Sequence, residues 1–295
     1  MLAGSMVALV TPMTDVGAVN YAELSALIEY HVEAGTEALI IAGTTGESAT
    51  LTHDEHLELL TTSCELANGR LPIIAGTGSN STQQTLELSL EASRLPIAAL
   101  LIVTPYYNKP TQEGLLRHYT AIADAVDCPV ILYNVPGRTA VDLLPATVIR
   151  LASHARIVGI KDATAEVDRV AVLRAGCGDD FSLLSGDDAS SREFMLAGGD
   201  GVISVTGNVA PAGLRALCDA ARAGKADQAA EIDANLADLH RDLFIESNPI
   251  PVKWALHEMG LIGPAIRLPL TELAAEYRPA VSAAITKAGI ELQRA

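Results

Sequence analysis

An α/β fold, a closed (β/α)8 TIM barrel with a C-terminal helical appendix, is what the sequence predicts, on three observations. Eight short runs rich in Val, Ile and Leu recur, each bounded by Gly, Pro, Asn or Asp. The runs are continuously apolar rather than alternating, which is the pattern of parallel strands covered on both faces. Longer segments with apolar residues every three or four positions lie between them and read as crossover helices. Eight such units fit a closed barrel, whereas a doubly wound sheet more often stops at about five to seven strands.

In chain order the expected strands are Met6–Val10, Ala38–Ala42, Leu71–Ala75, Ala98–Val103, Pro129–Tyr133, Ile157–Ile160, Phe181–Leu184 and Gly201–Val205. Tyr21–Glu33, His53–Ala67, Gln83–Ser93 and Gln112–Ala125 combine helical spacing with good helix formers. After Val205 the chain reads as helices alone: Pro211–Ala223, Ala226–Phe244, Pro251–Met259 and Thr271–Ala288, punctuated by Asn248, Pro249, Pro251 and Pro264. The expected division is therefore a catalytic barrel over residues 1–224 and a helical region over 225–295, of a kind that often packs against another subunit.

Bulk properties narrow the function. The 295 residues are 49% apolar and 19% charged, as in a compact globular protein. A net charge of −16 repels phosphate backbones and anionic lipid, so neither nucleic acid nor membrane is an expected partner. The same charge disfavours small anions at long range, so a site for one needs its own cations or amide donors. The longest apolar run near the middle, Ile97–Val103, is far short of a membrane span. The apolar N-terminus lacks the basic residues of a signal peptide, the first being Arg70, and a cytoplasmic location is expected. Cys64, Cys128, Cys177 and Cys218 lie far apart and read as reduced core thiols.

A barrel carries its active site at the C-terminal ends of its strands, so the polar residues following each run are the candidates. Lys161 stands out. Of the five lysines it alone ends a strand; Lys109, Lys225, Lys253 and Lys287 fall in a loop or in helical segments. A lysine in the mouth of an apolar barrel loses hydration, which disfavours the ammonium, and Schiff-base chemistry needs the free amine. The other reading of Lys161 is a packed stem whose head pairs with Asp162 or Asp187. Tyr133, Tyr107 and Thr44 supply phenols and a hydroxyl for proton transfer, with Tyr133 at the end of the strand adjoining that of Lys161. Gly43-Thr44-Thr45-Gly46-Glu47 places hydroxyls and approachable amides where a carboxylate or oxyanion can be held, and Arg138 offers a planar fork for a second carboxylate.

Two patterns lead nowhere. Gly76-Thr77-Gly78-Ser79-Asn80-Ser81 resembles a dinucleotide loop, but Ser81 replaces the third glycine. His53 and His56 lie three apart on one expected helical face without a third clustered ligand, and fit a solvated face or an effector pocket better than a metal site. Neither a cofactor nor a metal ion is expected.

Together these motifs resemble the dihydrodipicolinate synthase family of pyruvate-dependent class I aldolases, which also contains N-acetylneuraminate lyase. The resemblance runs over nearly the whole chain and is sharpest at Gly43–Glu47, Tyr133–Thr139, Gly159–Asp162 and Ser185–Asp188, with Asn248-Pro249-Ile250-Pro251-Val252-Lys253 beyond them. It implies that Lys161 forms an imine with pyruvate, that Tyr133, Thr44 and Tyr107 relay protons, Tyr107 being supplied to a neighbouring subunit, and that the assembly is a homotetramer. Thr45, Gly186 and Ile203 would meet substrate, and Arg138 would bind the carboxylate of aspartate semialdehyde. Sialic-acid lyase members generally carry Ser at the position of Thr44 and lack the arginine matching Arg138, which favours the synthase over a sugar-acid lyase or aldolase, and intact Lys161, Tyr133 and Arg138 argue against a non-catalytic paralogue. Lysine-inhibited members imply an interface pocket of Ser48, Ala49, His53, His56, Asn80, Gln84 and Tyr106, with Asn80 and Gln84 sharing a helical face. Gln84 stands where inhibited members have Glu, while Asp162 and Ala165 stand where Glu and Gly are common.

Overall fold

The computed structural model describes residues 2–293. Eight parallel strands, each hydrogen-bonded to its neighbours in sequence, close into a barrel in which the eighth pairs with the first. Strands β1 (Gly4–Ala8), β2 (Ala38–Ile41), β3 (Ile73–Gly76) and β4 (Ala99–Val103) are followed by helices α1 (Tyr21–Glu33), α2 (His53–Ala67), α3 (Thr82–Ala92) and α4 (Gln112–Ala125). Beyond β5 (Val130–Asn134) come the short helices α5 (Pro136–Thr139) and α6 (Pro145–Leu151), and then β6 (Ile157–Asp162) and α7 (Arg169–Cys177). The circuit ends with β7 (Ser182–Ser185), α8 (Ser191–Leu196), β8 (Gly201–Ser204) and α9 (Pro211–Arg222), which packs on β1 and β8. Helix α10 (Ala226–Asp242) lies against α8 and α9, while α11 (Ile250–Glu258) and α12 (Arg278–Lys287) complete the chain. Among the described residues no helix is long and apolar enough to cross a membrane.

The first four helices start where the sequence supplies a cap. Asn20, Thr52, Ser81 and Thr111 each accept a backbone N–H from the first turn, and Thr52 forms a full capping box with Glu55. The strands' continuous apolar runs are explained by two separate cores. Met6, Ala8, Ile40, Ile74, Leu101, Ile131, Tyr133, Leu184 and Ile203 fill the barrel interior, and the alternate residues Val7, Leu39, Ile73, Leu100, Leu132 and Leu183 pack against the helices.

Three local expectations shift. β1 begins at Gly4, two residues before the apolar run, because Gly4 and Ser5 pair with Gly201 and Val202 of β8. A Cβ at Gly201 would lie 2.3 Å from the Gly4 carbonyl oxygen, so the seam closes only where that side chain is missing. The last helix starts at Arg278 rather than Thr271, with Pro279 in its first turn, where a residue without an N–H is tolerated. Asn80 precedes α3 instead of sharing a helical face with Gln84, since Ser81 caps the helix and turns the chain.

At the C-terminal end of β6, Lys161 and Asp162 point to opposite sides of the sheet. Asp162 faces the helices, where its Oδ2 lies 2.9 Å from Arg169 Nε with the N–H off the line of contact, and its Oδ1 accepts the Thr164 N–H. Arg169 also reaches Asp142 and the Leu143 carbonyl, and Asp142 takes the Asn134 amide, so the ends of β5 and β6 are joined behind the site. Burial raises the Asp162 carboxyl above the usual carboxylate range against the pull of Arg169. Asp162→Ala strips a buried guanidinium of one of its anions; we expect a loss of about 3 kcal/mol in urea unfolding, at the low end for a broken buried pair because Asp142 remains.

Three imidazoles are shut into the helical layer. His31 bonds Thr36, His56 bonds the Gly76 carbonyl and His118 bonds Thr82, and burial lowers each to about 4. The unfolded chain takes up these protons below about 6.5, so stability falls as pH drops from there towards 4. Each residue is expected to remove about 2 kcal/mol by pH 5. The thermal midpoint measured from pH 7 to 5 should fall, and less steeply in His31→Gln.

Candidate active site

The register of the barrel sets Lys161 directly beside Tyr133 of β5 and Leu184 of β7. Its Nζ lies 4.3 Å from the centroid of the Tyr133 ring, and the residue is 5% exposed. Room for the side chain comes from Gly186, where a Cβ would lie 2.9 Å from Lys161 Cε and 3.0 Å from Cγ. Among the described residues Lys161 enters no ion pair: Asp162 turns outward to Arg169, and Asp187 accepts from the Ser190 amide and hydroxyl. The reading of Lys161 as a paired structural lysine therefore has no partner to rest on here.

The amine opens into a cavity of about 160 Å³ at the C-terminal mouth. Six of the expected residues meet there: Thr44 and Thr45 after β2, Tyr133 at the end of β5, Arg138 on α5, Lys161, and Gly186 after β7. Arg138 reaches the mouth because Pro136 opens α5 immediately after the strand, leaving the guanidinium one turn from Tyr133. Two expected residues stay outside. Ile203 is buried within the inner cluster with Tyr133 and Leu184 and does not line the cavity. Tyr107 is 88% exposed on the loop after β4, with φ of 72°.

Sequence reasoning missed Phe244 and Asn248 as lining residues. Asn248 donates from Nδ2 to Thr45 Oγ1 at 3.0 Å, and its carbonyl accepts from Arg138 Nη2 at 3.3 Å. It thus links the Thr45 and Arg138 ends of the cavity. The signal was the Asn248-Pro249-Ile250-Pro251 stretch, which lies far in sequence from any strand end.

The geometry suits the capture of a small keto acid. An amine adjoins a phenol and a threonine hydroxyl, the Thr44–Thr45 loop can hold one carboxylate, and Arg138 can hold another across the cavity. A second cleft at Ile250, Lys253, Trp254 and Glu272 has about 10 Å³, room for no more than a water.

The residues expected of an effector pocket gather loosely beyond the β2, β3 and β4 ends. Ser48 and Ala49 form a 3-10 turn, His56 is buried against Gly76, and His53 turns outward to Glu91 at 3.2 Å. The two histidines thus diverge instead of forming one surface. Gln84 accepts from the Ser79 hydroxyl, and Asn108 ties the Tyr106 loop to the Asn80 carbonyl.

Comparison with known proteins agrees with this geometry. The model of the dihydrodipicolinate synthetase family matches residues 1–288. The 4-hydroxy-tetrahydrodipicolinate synthase of Methylococcus capsulatus is 57% identical over 290 residues, covering 98% of this chain and 100% of the relative. The crystal structure of the chloride-inhibited dihydrodipicolinate synthase of Acinetobacter baumannii, complexed with pyruvate, superposes with a TM-score of 0.97 at 52% identity over 99% of this chain and 100% of that one. The corresponding enzyme of Aquifex aeolicus gives 0.97 at 42% identity, covering 99% and 100%. The chain belongs to the dihydrodipicolinate synthetase family.

Proposed function

We propose that this protein is a 4-hydroxy-tetrahydrodipicolinate synthase, condensing pyruvate with L-aspartate 4-semialdehyde on the diaminopimelate route to lysine in the cytoplasm. The observation that carries the reading is the buried Lys161 amine beside Tyr133, in no ion pair among the described residues and set between the Thr44–Thr45 loop and Arg138. The Lys161 amine adds to the pyruvate ketone and water leaves, giving an iminium that acts as the electron sink. Loss of a proton from the adjacent methyl forms the enamine, whose carbon attacks the aldehyde of the second substrate while Arg138 holds its carboxylate. The aldehyde oxygen takes up a proton. The free amino group of the semialdehyde then closes on the imine carbon, and the Lys161 amine departs. Tyr133 and Thr44 line the path these protons take.

Assembly as a homotetramer, a dimer of dimers, belongs to the same reading. Its support is Tyr107, an aromatic residue left exposed outside the cavity of its own chain, where it is available to a second copy. Thr45 and Gly186, at the cavity wall, are assigned to substrate, and Ile203 backs the site from the core against which Tyr133 packs.

Borohydride reduction in the presence of pyruvate should leave a stable adduct on the peptide carrying Lys161, identified by mass spectrometry. Lys161→Arg should form no adduct and show no turnover with pyruvate and the semialdehyde; full activity in that variant would overturn the proposal. Cleavage of 2-keto-3-deoxy acids in preference to the condensation would instead mark a sugar-acid aldolase.

Feedback inhibition by lysine is expected to be weak or absent. With Gln84 in place of a glutamate, the pocket lacks one charge-assisted bond to an ammonium, worth about 1.5 to 3 kcal/mol, or roughly ten- to a hundredfold in affinity. Gln84→Glu should lower the half-inhibitory lysine concentration by about that factor. Submillimolar half-inhibition of the unaltered enzyme would contradict this expectation.

A further inference from the structure

The loop holding Thr44 and Thr45 has no regular structure of its own, and both its ends are set in a left-handed conformation. Ala42 has φ of 53° and Glu47 φ of 57°, neither with the freedom of a glycine. Such a loop keeps its shape only when its surroundings dictate it. From one side Thr11 donates to the Gly46 carbonyl at 2.7 Å. From the other comes the C-terminal quarter of the chain. Lys253 Nζ lies 2.6 Å from Glu47 Oε1, and the Arg267 N–H donates to Oε2 at 3.1 Å, so both oxygens of one carboxylate are fixed in direction. The side chains of Lys253 and Glu47 are 2% and 0% exposed.

Two charges taken out of water in this way gain little net stability, because desolvation opposes their attraction. Burial lowers Lys253 from the ordinary lysine value while Glu47 pulls the other way. What the pair supplies is direction. Glu47 hydrogen-bonds through its own N–H to the Thr44 carbonyl, so fixing its side chain fixes the turn that presents Thr44 and Thr45. Asn248, just before the same helix α11, holds the Thr45 hydroxyl and contacts Arg138.

We infer that the buried Glu47–Lys253 ion pair is a positioning device for the Thr44–Thr45 loop, setting the cradle for the keto-acid carboxylate, so that capture of pyruvate depends on it. The inference rests on the proposed function and names which substrate the pair governs. Neither residue lines the cavity.

The test measures steady-state kinetics and the initial rate of borohydride trapping at subsaturating pyruvate for Lys253→Met, Glu47→Gln and the double variant, in the full-length protein. Lys253→Met leaves a buried carboxylate without its cation; the KM for pyruvate should rise by about tenfold or more and trapping should slow in proportion. The KM for the semialdehyde, whose carboxylate Arg138 holds, should stay within about threefold, while kcat falls as far as Thr44 is displaced from the proton path. The double variant removes both charges and should recover part of the pyruvate KM, a coupling that independent structural losses would not produce. If Lys253→Met fails to fold, Glu47→Gln, which keeps the shape and the Arg267 contact, carries the same expectation. A lowered thermal midpoint with pyruvate KM and trapping within about twofold of the unaltered enzyme overturns the inference. Absence of any pyruvate adduct on the unaltered enzyme overturns the functional reading and this inference together, whereas a normal adduct with unshifted variants overturns this inference alone.

Discussion

A parallel barrel whose strands are buried on both faces has one place to put a working polar group, the rim where the strands end. Interior positions here are occupied by Met6, Ile40, Leu101, Ile131 and Leu184, and the outer positions by residues that hold the helices. An amine among the inner positions is tolerated only in the last layer, where the cavity begins. Pairing of β5 with β6 then fixes its neighbour as Tyr133, and Gly186, just past the end of β7, lies against the Lys161 side chain with no Cβ to obstruct it. The chemistry follows from that register.

Charge is arranged on the same principle. The protein as a whole repels anions, with a net charge of −16, yet Lys161 and Arg138 both line the small cavity, alongside Asp187. In a site partly shielded from water the Arg138 guanidinium acts at short range, where its effect is least diluted by solvent and salt. Two buried ion pairs lie behind the rim, Asp162–Arg169 below the lysine strand and Glu47–Lys253 below the threonine loop. Each reaches across to a different element, so their shared effect is to hold strand ends and loops at fixed separations.

Most of the architecture was legible in the sequence because it rests on periodic signals. Helices such as Tyr21–Glu33 and His53–Ala67 have apolar spacing and a capping residue at the start, so their bounds could be read directly. Six of the rim residues were equally accessible, since each follows an apolar run. What stayed hidden depended on pairing across distance. The two-residue shift of β1 arises from a glycine seam with β8, and the late start of α12 from the single position of Pro279. Asn248 belongs to the cavity through contacts some 200 positions away in the chain, which no local pattern encodes. The structure also accounts for two residues the sequence left unexplained. Ala165 has φ of 61°, a left-handed conformation in which glycine is the less strained occupant, and Asp162 lies 2.9 Å from Arg169 Nε behind the site.

The contact between Glu47 and Lys253 spans 206 positions, and this has a bearing on the birth of the protein. During translation the barrel strands emerge first, at a rate of about 5–20 residues per second. Throughout that interval the carboxylate at position 47 must either remain hydrated or be sealed in without its cation. In a nascent chain ending near the close of the eighth unit the Glu47 carboxylate has neither Lys253 nor the Arg267 N–H to hold it, and the last stretch to leave the ribosome supplies both. Truncation of this C-terminal quarter by a premature stop codon would remove every tie that Asn248, Lys253 and Arg267 make to the Thr44–Thr45 loop.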